Sequence, residues 1–377
     1  MTTRHALVTG FPGFIARRLV KKLLAADDHL KLTLVAEPNE KEKADQELER
    51  LRSALPSDPT LGERVRVMTG DVTWMDIGLS GAEFRALTSE VTEVYHLAAV
   101  HSIDGDKQTL TAVNVQGTSN LLALARAMKQ LERFVHFSSA YVSGNRTGVI
   151  MEDELEMNQG FRNAYEGSKH RAEVLVRRAQ DRLPITIIRP AGVVGDSRTG
   201  EIDRFDSVYH IGIMLAASPV ALPVPLPGDG RAPLNLVPAD FVVDAVLAIC
   251  SAEGTIGKTF HVVDPNPLSS RRVYEAIAQR AGRKVPRYHV SPNLTKALLR
   301  IPGLERFASV SRQAIDYLNH MAFYNSRNTA DALAGTGIRC PQFDEYIDNL
   351  MRFVREYFDR ADSSAANDKF GQASATP

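Results

Sequence analysis

The chain has 377 residues, and its 45 lysines and arginines balance 45 aspartates and glutamates. A formal net charge of zero gives no electrostatic footing for nucleic acid or an acidic membrane surface. Two cysteines in unrelated segments, Cys250 and Cys340, exclude a disulfide scaffold and a cysteine-rich metal site and suit a reducing compartment.

The first apolar run, Ala6 to Val8, reads as a buried strand that enters directly, leaving no room for a secretory leader. It breaks at Gly10 and restarts as an amphipathic helix with Phe14, Ile15, Leu19, Val20, Leu23 and Leu24 on its apolar side. Leu30 to Val35 reads as a second strand, followed by a charged helix from about Glu40 to Ala54. Val65 to Met68, Val91 to Ala98, Phe134 to Phe137 and Ile185 to Ile188 continue the strands. Helical patterns at Leu110 to Met128 and Ala164 to Arg178 separate them. Apolar strands alternating with helices predict a doubly wound parallel sheet, an α/β fold of the Rossmann type, with ligands beyond the carboxyl ends of the strands.

Around Gly200 the alternation fails. The longest uncharged run, Ile211 to Gly228, holds Pro219, Pro223, Pro225 and Pro227, which excludes a spanning helix there. Helical spacing returns at Val237 to Ala248, then a strand at Phe260 to Val263, then mostly helical pattern from Ser269 to about Phe358. The reading is a dinucleotide-binding domain over 1–200, completed by about 236–265. A smaller, mostly helical substrate lobe takes 201–235 and 266–360, and 361–377 is a disordered tail. The chain is expected to be soluble and cytoplasmic.

Chemistry concentrates at three places. In Thr9-Gly10-Phe11-Pro12-Gly13-Phe14-Ile15, Gly10 permits a tight turn and Gly13 a close backbone approach, and the following helix start offers N–H groups to a pyrophosphate. Tyr165 and Lys169 stand one helical turn apart on one face. A phenol is a poor acid near neutrality, but a neighbouring ammonium lowers its pKa and lets it exchange a proton with a carbonyl oxygen. Ser139, at the end of the fifth strand, falls on the same sheet edge and can hydrogen-bond that carbonyl, while Ser138 reads as a cap or turn former. His96, His101 and His136 lack ligand spacing and are read as non-metal.

The ordered set Thr9-Gly10-x-x-Gly13-Phe14-Ile15, Gly70-Asp71-Val72, His96-Leu97-Ala98-Ala99, Asn114-Val115-x-Gly117-Thr118, Ser138-Ser139, Tyr165-x-x-x-Lys169 and Arg189-Pro190 resembles the extended short-chain dehydrogenase/reductases over roughly residues 5 to 265. The stretches His136 to Gly144, Ile188 to Gly200 and Val237 to Asp244 resemble the male-sterility branch. That branch includes fatty acyl-CoA reductases and the thioester reductase domains of carboxylic acid reductases and peptide synthetases. The resemblance implies Tyr165 as proton donor, Lys169 as the ribose-holding ammonium and Ser139 as the group that orients the carbonyl. It also implies cofactor contacts from Thr9, Gly10, Pro12, Gly13, Phe14 and Ile15. Further contacts would come from Asp71, Val72, Leu97, Ala98, Ala99, Pro190, Ala191 and Val193. Asn114 serves either helix order or a proton-relay water.

Two departures from the pattern matter. Ala16 replaces the third glycine, where alanine is tolerated because that position serves helix packing. The second strand ends Val35-Ala36-Glu37-Pro38, and an acid there favours a free ribose 2′-hydroxyl, hence NAD. The thioester-reducing relatives typically carry arginine there and use NADP, and Lys41 or Lys43 is available for a 2′-phosphate. The choice of NAD(H) or NADP(H) stays open.

The expected activity is NAD(P)H-dependent reduction of an apolar carbonyl, foremost a fatty acyl thioester carried by coenzyme A or a separate acyl carrier protein. No carrier or adenylation sequence precedes the reductase, so a stand-alone enzyme is expected. Such enzymes often dimerise through the tyrosine-bearing helix, which makes a homodimer the implied assembly. The rivals are an alcohol or hydroxysteroid dehydrogenase and a sugar-nucleotide epimerase. From another class comes a non-catalytic dinucleotide sensor, which predicts a degraded Tyr/Lys pair. Ile211 to Pro227 is read either as an apolar substrate wall or as lobe core, and Ala297 to Leu299 with Ile301 to Leu304 either as an apolar lid or interfacial patch or as core packing.

Overall fold

A computed structural model describes residues 4–54, 60–102, 105–203, 228–282 and 316–373. The apolar stretches 211–227, 297–299 and 301–304, read as wall, lid or patch, lie outside the described residues. In chain order the strands are β1 (His5–Thr9), β2 (Lys31–Ala36), β3 (Val65–Thr69), β4 (Glu93–His96), β5 (Arg133–Phe137) and β6 (Gly148–Ile150). They continue as β7 (Ile185–Pro190), β8 (Gly192–Val194), β9 (Leu236–Pro238), β10 (Thr259–Val262) and β11 (Ala322–Tyr324). The helices are α1 (Phe14–Ala26), α2 (Lys41–Ala54), α3 (Leu61–Arg64), α4 (Gly81–Glu90), α5 (Lys107–Leu110) and α6 (Gly117–Ala127). After them come α7 (Ala164–Arg177), α8 (Ala239–Ser251), α9 (Ser270–Arg280), α10 (Arg327–Leu333) and α11 (Phe343–Ala373).

The chain divides into two units, the first being Met1–Ala191, Phe241–Pro265 and Ala322–Arg339. Its seven-stranded sheet runs β10-β7-β5-β4-β1-β2-β3, with every pairing parallel. β1 is buried along its whole length, as a central strand covered on both faces must be. Leu121, Leu122 and Val176, from α6 and α7, pack with Phe134, Ile185 and Ile187 of the sheet. The chain winds through β2 and β3 in one direction and through β5, β7 and β10 in the other. This is the Rossmann arrangement, whose ligands sit beyond the carboxyl ends of the strands flanking the reversal, here β1 and β4.

Three elements depart from the periodicity reading. The helix expected over Leu110 to Met128 is broken by a π-turn, Thr111–Gln116, between α5 and α6. Inside it the Asn114 side chain bonds both backbone groups of Val100, which diverts the turn from regular spacing. The strand expected to run to Ala98 ends at His96, because the Ala98 N–H donates to Thr9 Oγ1 (3.2 Å) rather than to a ladder. Val237 and Pro238 belong to β9, and the helix expected there starts only at Ala239.

Residues 322–339, read from sequence as lobe, belong to the first unit. β11 pairs with β6, setting Phe323 beside Val149. The Glu152 carboxylate takes the N–H groups of His261 (2.8 Å) and Asn328 (2.7 Å). The second unit is Gly192–Asp240, Asn266–Met321 and Cys340–Pro377. In it β8 pairs with β9, and Val273, Tyr274 and Ile277 of α9 pack with Tyr346, Ile347 and Leu350 of α11. α11 carries on to Ala373 through the stretch read as a disordered tail, since alanine-containing sequence extends an existing helix at one hydrogen bond per residue fixed. Among the described residues no helix is long and apolar enough to cross a membrane.

The sheet carries buried histidines at His5, His96, His136 and His261. Desolvation holds all of them neutral: His5 is lowered to about 4, His96 and His261 to about 3, and His136 well below its ordinary value. The unfolded chain protonates these rings below about pH 6.5, and the folded chain does not. Their contribution is therefore complete above that pH and is lost as pH falls toward the folded values, at up to about 1.4 kcal/mol per pH unit for each ring. Urea midpoints are expected to drop steeply between about pH 6.5 and 4.5. Midpoints that stay flat over that window would contradict neutral burial.

Candidate functional site

The turn after β1 is built for a close approach. Gly10 has φ +82, and a Cβ on it would stand 2.7 Å from the Ala98 nitrogen. The turn closes through Gly13 N–H to Gly10 O (2.8 Å), and a Cβ on Gly13 would lie 2.7 Å from that same oxygen. Pro12 is buried in the turn, while Gly13 is exposed and Phe14 and Ile15 are half-buried at the helix start. α1 has no side-chain cap and no acid in its first turn. Its N-terminal N–H groups and positive dipole end thus face outward over a cradle that side chains would fill, which fits a dinucleotide pyrophosphate.

Beneath the turn runs a chain of directed hydrogen bonds. Thr118 Oγ1–H donates to Asn114 O (2.7 Å), so Thr118 Oγ1 accepts from His96 Nε2 (3.0 Å). His96 Nδ1 then accepts from Thr9 Oγ1 (2.9 Å), which itself accepts from Ala98 N–H. This assigns the Nε2–H tautomer of a ring that burial and the Lys169 charge keep neutral. Asn114 Nδ2 donates to Ser168 Oγ (2.9 Å), and Ser168 Oγ–H donates to Tyr165 O (2.8 Å). The Asn114 side chain thereby ties the π-turn both to Val100 and to Ser168 on the tyrosine-bearing helix.

α7 presents the Tyr/Lys pair. Asn163 caps it by accepting from Glu166 N–H (3.0 Å), and Tyr165 and Lys169 are both buried on the inner face. Lys169 Nζ donates to Phe137 O at the end of β5 (2.5 Å), and desolvation lowers its pKa to about 8. The capping expected of Ser138 falls to Ser139, whose Oγ accepts from Tyr141 N–H (3.2 Å), leaving its own O–H to give away. Ser138 instead donates to Glu173 Oε2 (2.5 Å), because its hydroxyl turns inward toward a buried carboxylate. Glu173 is also bound by Arg189 (Nη2 to Oε1, 2.6 Å) and Arg177 (3.1 Å), which hold it down to about 2 against a large desolvation cost.

The remaining predicted residues distribute as follows. Leu97, Ala98 and Ala99 leave β4 beside the glycine turn, Leu97 buried and the alanines half-buried. Val72 touches the place where a Gly117 Cβ would be (2.7 Å), and its carbonyl accepts from Asn120 Nδ2 (2.9 Å). Asp71 Oδ1 is fixed by Thr73 N–H (2.8 Å) and Oγ1–H (2.7 Å). Pro190 ends β7, and Ala191 packs with Ala140 and Val263. Val193 belongs to the second unit, on β8. Sequence reasoning missed Tyr324, which no motif marks. Its ring packs on that same apolar group, its Oη bonds Ser143 Oγ (3.2 Å), and burial pushes its pKa up to about 12.

Gly10→Ala is expected to destabilise the fold by about 2 kcal/mol or more, since it adds left-handed strain to a backbone clash, and to abolish dinucleotide binding. Thermal melts and dinucleotide titration check both parts. A variant that melts and binds as wild type does would remove the cradle from consideration.

The male sterility protein family matches residues 8–246. The chain is 27% identical over 377 residues to a linear gramicidin synthase of Brevibacillus parabrevis, covering 94% of this chain and 7% of that protein. It is 29% identical over 281 residues to fatty acyl-CoA reductase 1 of Gallus gallus, covering 65% of this chain and 54% of that protein. It therefore spans about half the length of that reductase and a small part of the synthase. Among solved structures, the terminal R domain from the myxalamid PKS-NRPS biosynthetic pathway superposes with TM-score 0.76 at 27% identity, over 94% of this chain and 90% of that one. The family match runs from the glycine turn through the Tyr/Lys helix to the segment after β9, and the chain belongs to the male sterility protein family of extended short-chain dehydrogenase/reductases.

Proposed function

We propose that this protein reduces acyl thioesters to aldehydes with a nicotinamide dinucleotide, taking acyl-CoA or an acyl group on a separate carrier protein. The observation that carries the reading is Lys169 Nζ on α7 bonded to Phe137 O at the end of β5, two residues before Ser139 and with Tyr165 one helical turn away. The fatty acyl-CoA reductase and the terminal R domain to which the chain is similar support the thioester as substrate. Cys250 and Cys340, held as thiols and not as a disulfide, accord with a reducing cytoplasm, which we assign as its compartment.

When bound, a reduced nicotinamide dinucleotide would supply a hydride, two electrons with their hydrogen, to the thioester carbon. The chain does the rest. The Ser139 O–H donates to the carbonyl oxygen and polarises it. Tyr165 gives its phenolic proton to that oxygen as the carbon is reduced, forming a hemithioacetal. Lys169, a cation held by Phe137 O, favours the phenolate that remains and holds the ribose of the dinucleotide. The C–S bond then breaks, the hydroxyl gives up its proton as the carbonyl re-forms as aldehyde, and the departing thiolate takes that proton to leave as thiol. Thr9, Gly10 and Gly13 hold the pyrophosphate, and Ala191 with Pro190 backs the nicotinamide. A homodimer through α7 is part of the same reading.

Purified protein, offered a long-chain acyl-CoA and the matching aldehyde separately, is expected to oxidise the reduced dinucleotide with the thioester and to release one thiol per turnover. Consumption with the aldehyde alone would move it to the aldehyde and alcohol dehydrogenases. Tyr165→Phe should lower kcat about 100-fold or more with dinucleotide affinity retained, and unchanged turnover would remove it as the proton donor. The rate of reduction should also fall as pH rises through about 8, where Lys169 loses its proton. A rate that holds level well above that pH, with chemistry limiting, would contradict the role of the ammonium.

A further inference from the structure

The corner of the sheet beyond β2 and β3 decides which dinucleotide fits. The register pairs Thr9 with Val35 and Ala36 with Thr69, so Glu37, one residue past β2, and Asp71, two residues past β3, lie beyond neighbouring strand ends beside the glycine turn. The backbone is tied across this corner by Gly70 N–H to Ala36 O (2.9 Å) and by Asp71 N–H to Ile77 O (2.9 Å). Glu37 is extended (φ -61, ψ 150) and is locked by Glu40 N–H to its own carbonyl (2.9 Å), which leaves its carboxylate exposed at the ribose end of the site. Partial desolvation against the strand ends and then the charges of Asp71 and Glu40 raise the Glu37 pKa, so these carboxylates sense one another.

Three basic side chains nearby are paired with acids. Lys41 Nζ bonds both carboxylate oxygens of Asp45 at 2.5 Å, Lys43 Nζ stands 3.1 Å from Glu40, and Arg17 Nε stands 3.8 Å from Glu47. None of these pairs brings net positive charge to the corner. A ribose 2′-hydroxyl is a donor that a carboxylate can accept, whereas a 2′-phosphate is an anion that would meet the carboxylates of Glu37 and Asp71. We propose that the protein is specific for NAD(H), with Glu37 accepting the adenosine ribose hydroxyls and Asp71 adding the second charge that rejects a 2′-phosphate. This rests on the dinucleotide reading of the glycine turn but not on the identity of the acyl substrate.

The test is equilibrium titration of the intact protein with NADH and with NADPH, read by nicotinamide fluorescence with no acyl compound present. NADH should bind at least about tenfold tighter, equivalent to about 1.4 kcal/mol. The gap should narrow at high salt, because screening weakens a repulsion between exposed charges. Glu37→Gln keeps the size of the side chain and removes its charge, so NADPH should gain and the ratio of the two constants should move toward one. NADPH binding as tightly as NADH, or a ratio unmoved in a Glu37→Gln protein that melts like wild type, overturns the proposal. Tight NADH binding without turnover of any thioester would sink the proposed reaction and leave the specificity standing. Failure to bind either dinucleotide would sink both.

Discussion

Burying the Lys169 ammonium between α7 and the end of β5 carries a desolvation cost on the order of several kcal/mol, and much of the first unit is arranged around it. One carbonyl, Phe137 O, accepts directly from the ammonium. One turn along the helix, Glu173 supplies the nearest opposing charge and is pinned by Arg189, Arg177 and Ser138 from β7, α7 itself and the end of β5. Arg189 is 1% exposed, and it also bonds Glu154 O (2.8 Å) and the ring of His261 (3.1 Å). Three elements are thereby locked to one carboxylate. Removing a single member would leave a buried charge uncompensated, which is far costlier than the net worth of any one pair.

A second, uncharged network joins the phosphate turn to the same helix. Thr9, His96, Thr118 and Asn114 each use one group to hold the next, and Ser168 completes the path to the backbone of Tyr165. Because His96 stays neutral, it can accept at one nitrogen and donate at the other, a pairing the imidazolium could not make. The positive field of Lys169 is part of what keeps it so. The charged and neutral networks are therefore not independent, since one sets the protonation state on which the other depends.

These relations explain what could be read without coordinates. Gly10 and Gly13, and Tyr165 and Lys169, are close in sequence, and their meaning comes from local geometry: a turn needing positive φ, or a helical face. The strand and helix order followed from apolar periodicity. The partners of Glu173, by contrast, lie on other elements, and nothing local marks Glu173 as buried, because Lys-x-x-x-Glu is ordinary on an exposed helix. Ser138 and Ser139 were distinguishable only once hydroxyl directions were known. The π-turn at Asn114 depends on a bond to Val100, fourteen residues earlier, which periodicity cannot register. Tyr324 reaches its place through strand pairing between β11 and β6, and parallel pairing of such short strands leaves little trace in composition.

The return of residues 322–339 to the first unit also constrains how the chain reaches its folded state. Glu152 binds the backbone of Asn328 across 176 residues, and Tyr324 meets Ser143 across 181. Such contacts form only after most of the chain is available, and closing so long a loop is entropically slow. During synthesis the strands carrying the glycine turn and Tyr165 can assemble first, with Glu152 and Ser143 waiting for late partners. A nascent chain would pass through a stage with the dinucleotide cradle formed and the wall beside Ala191 still missing.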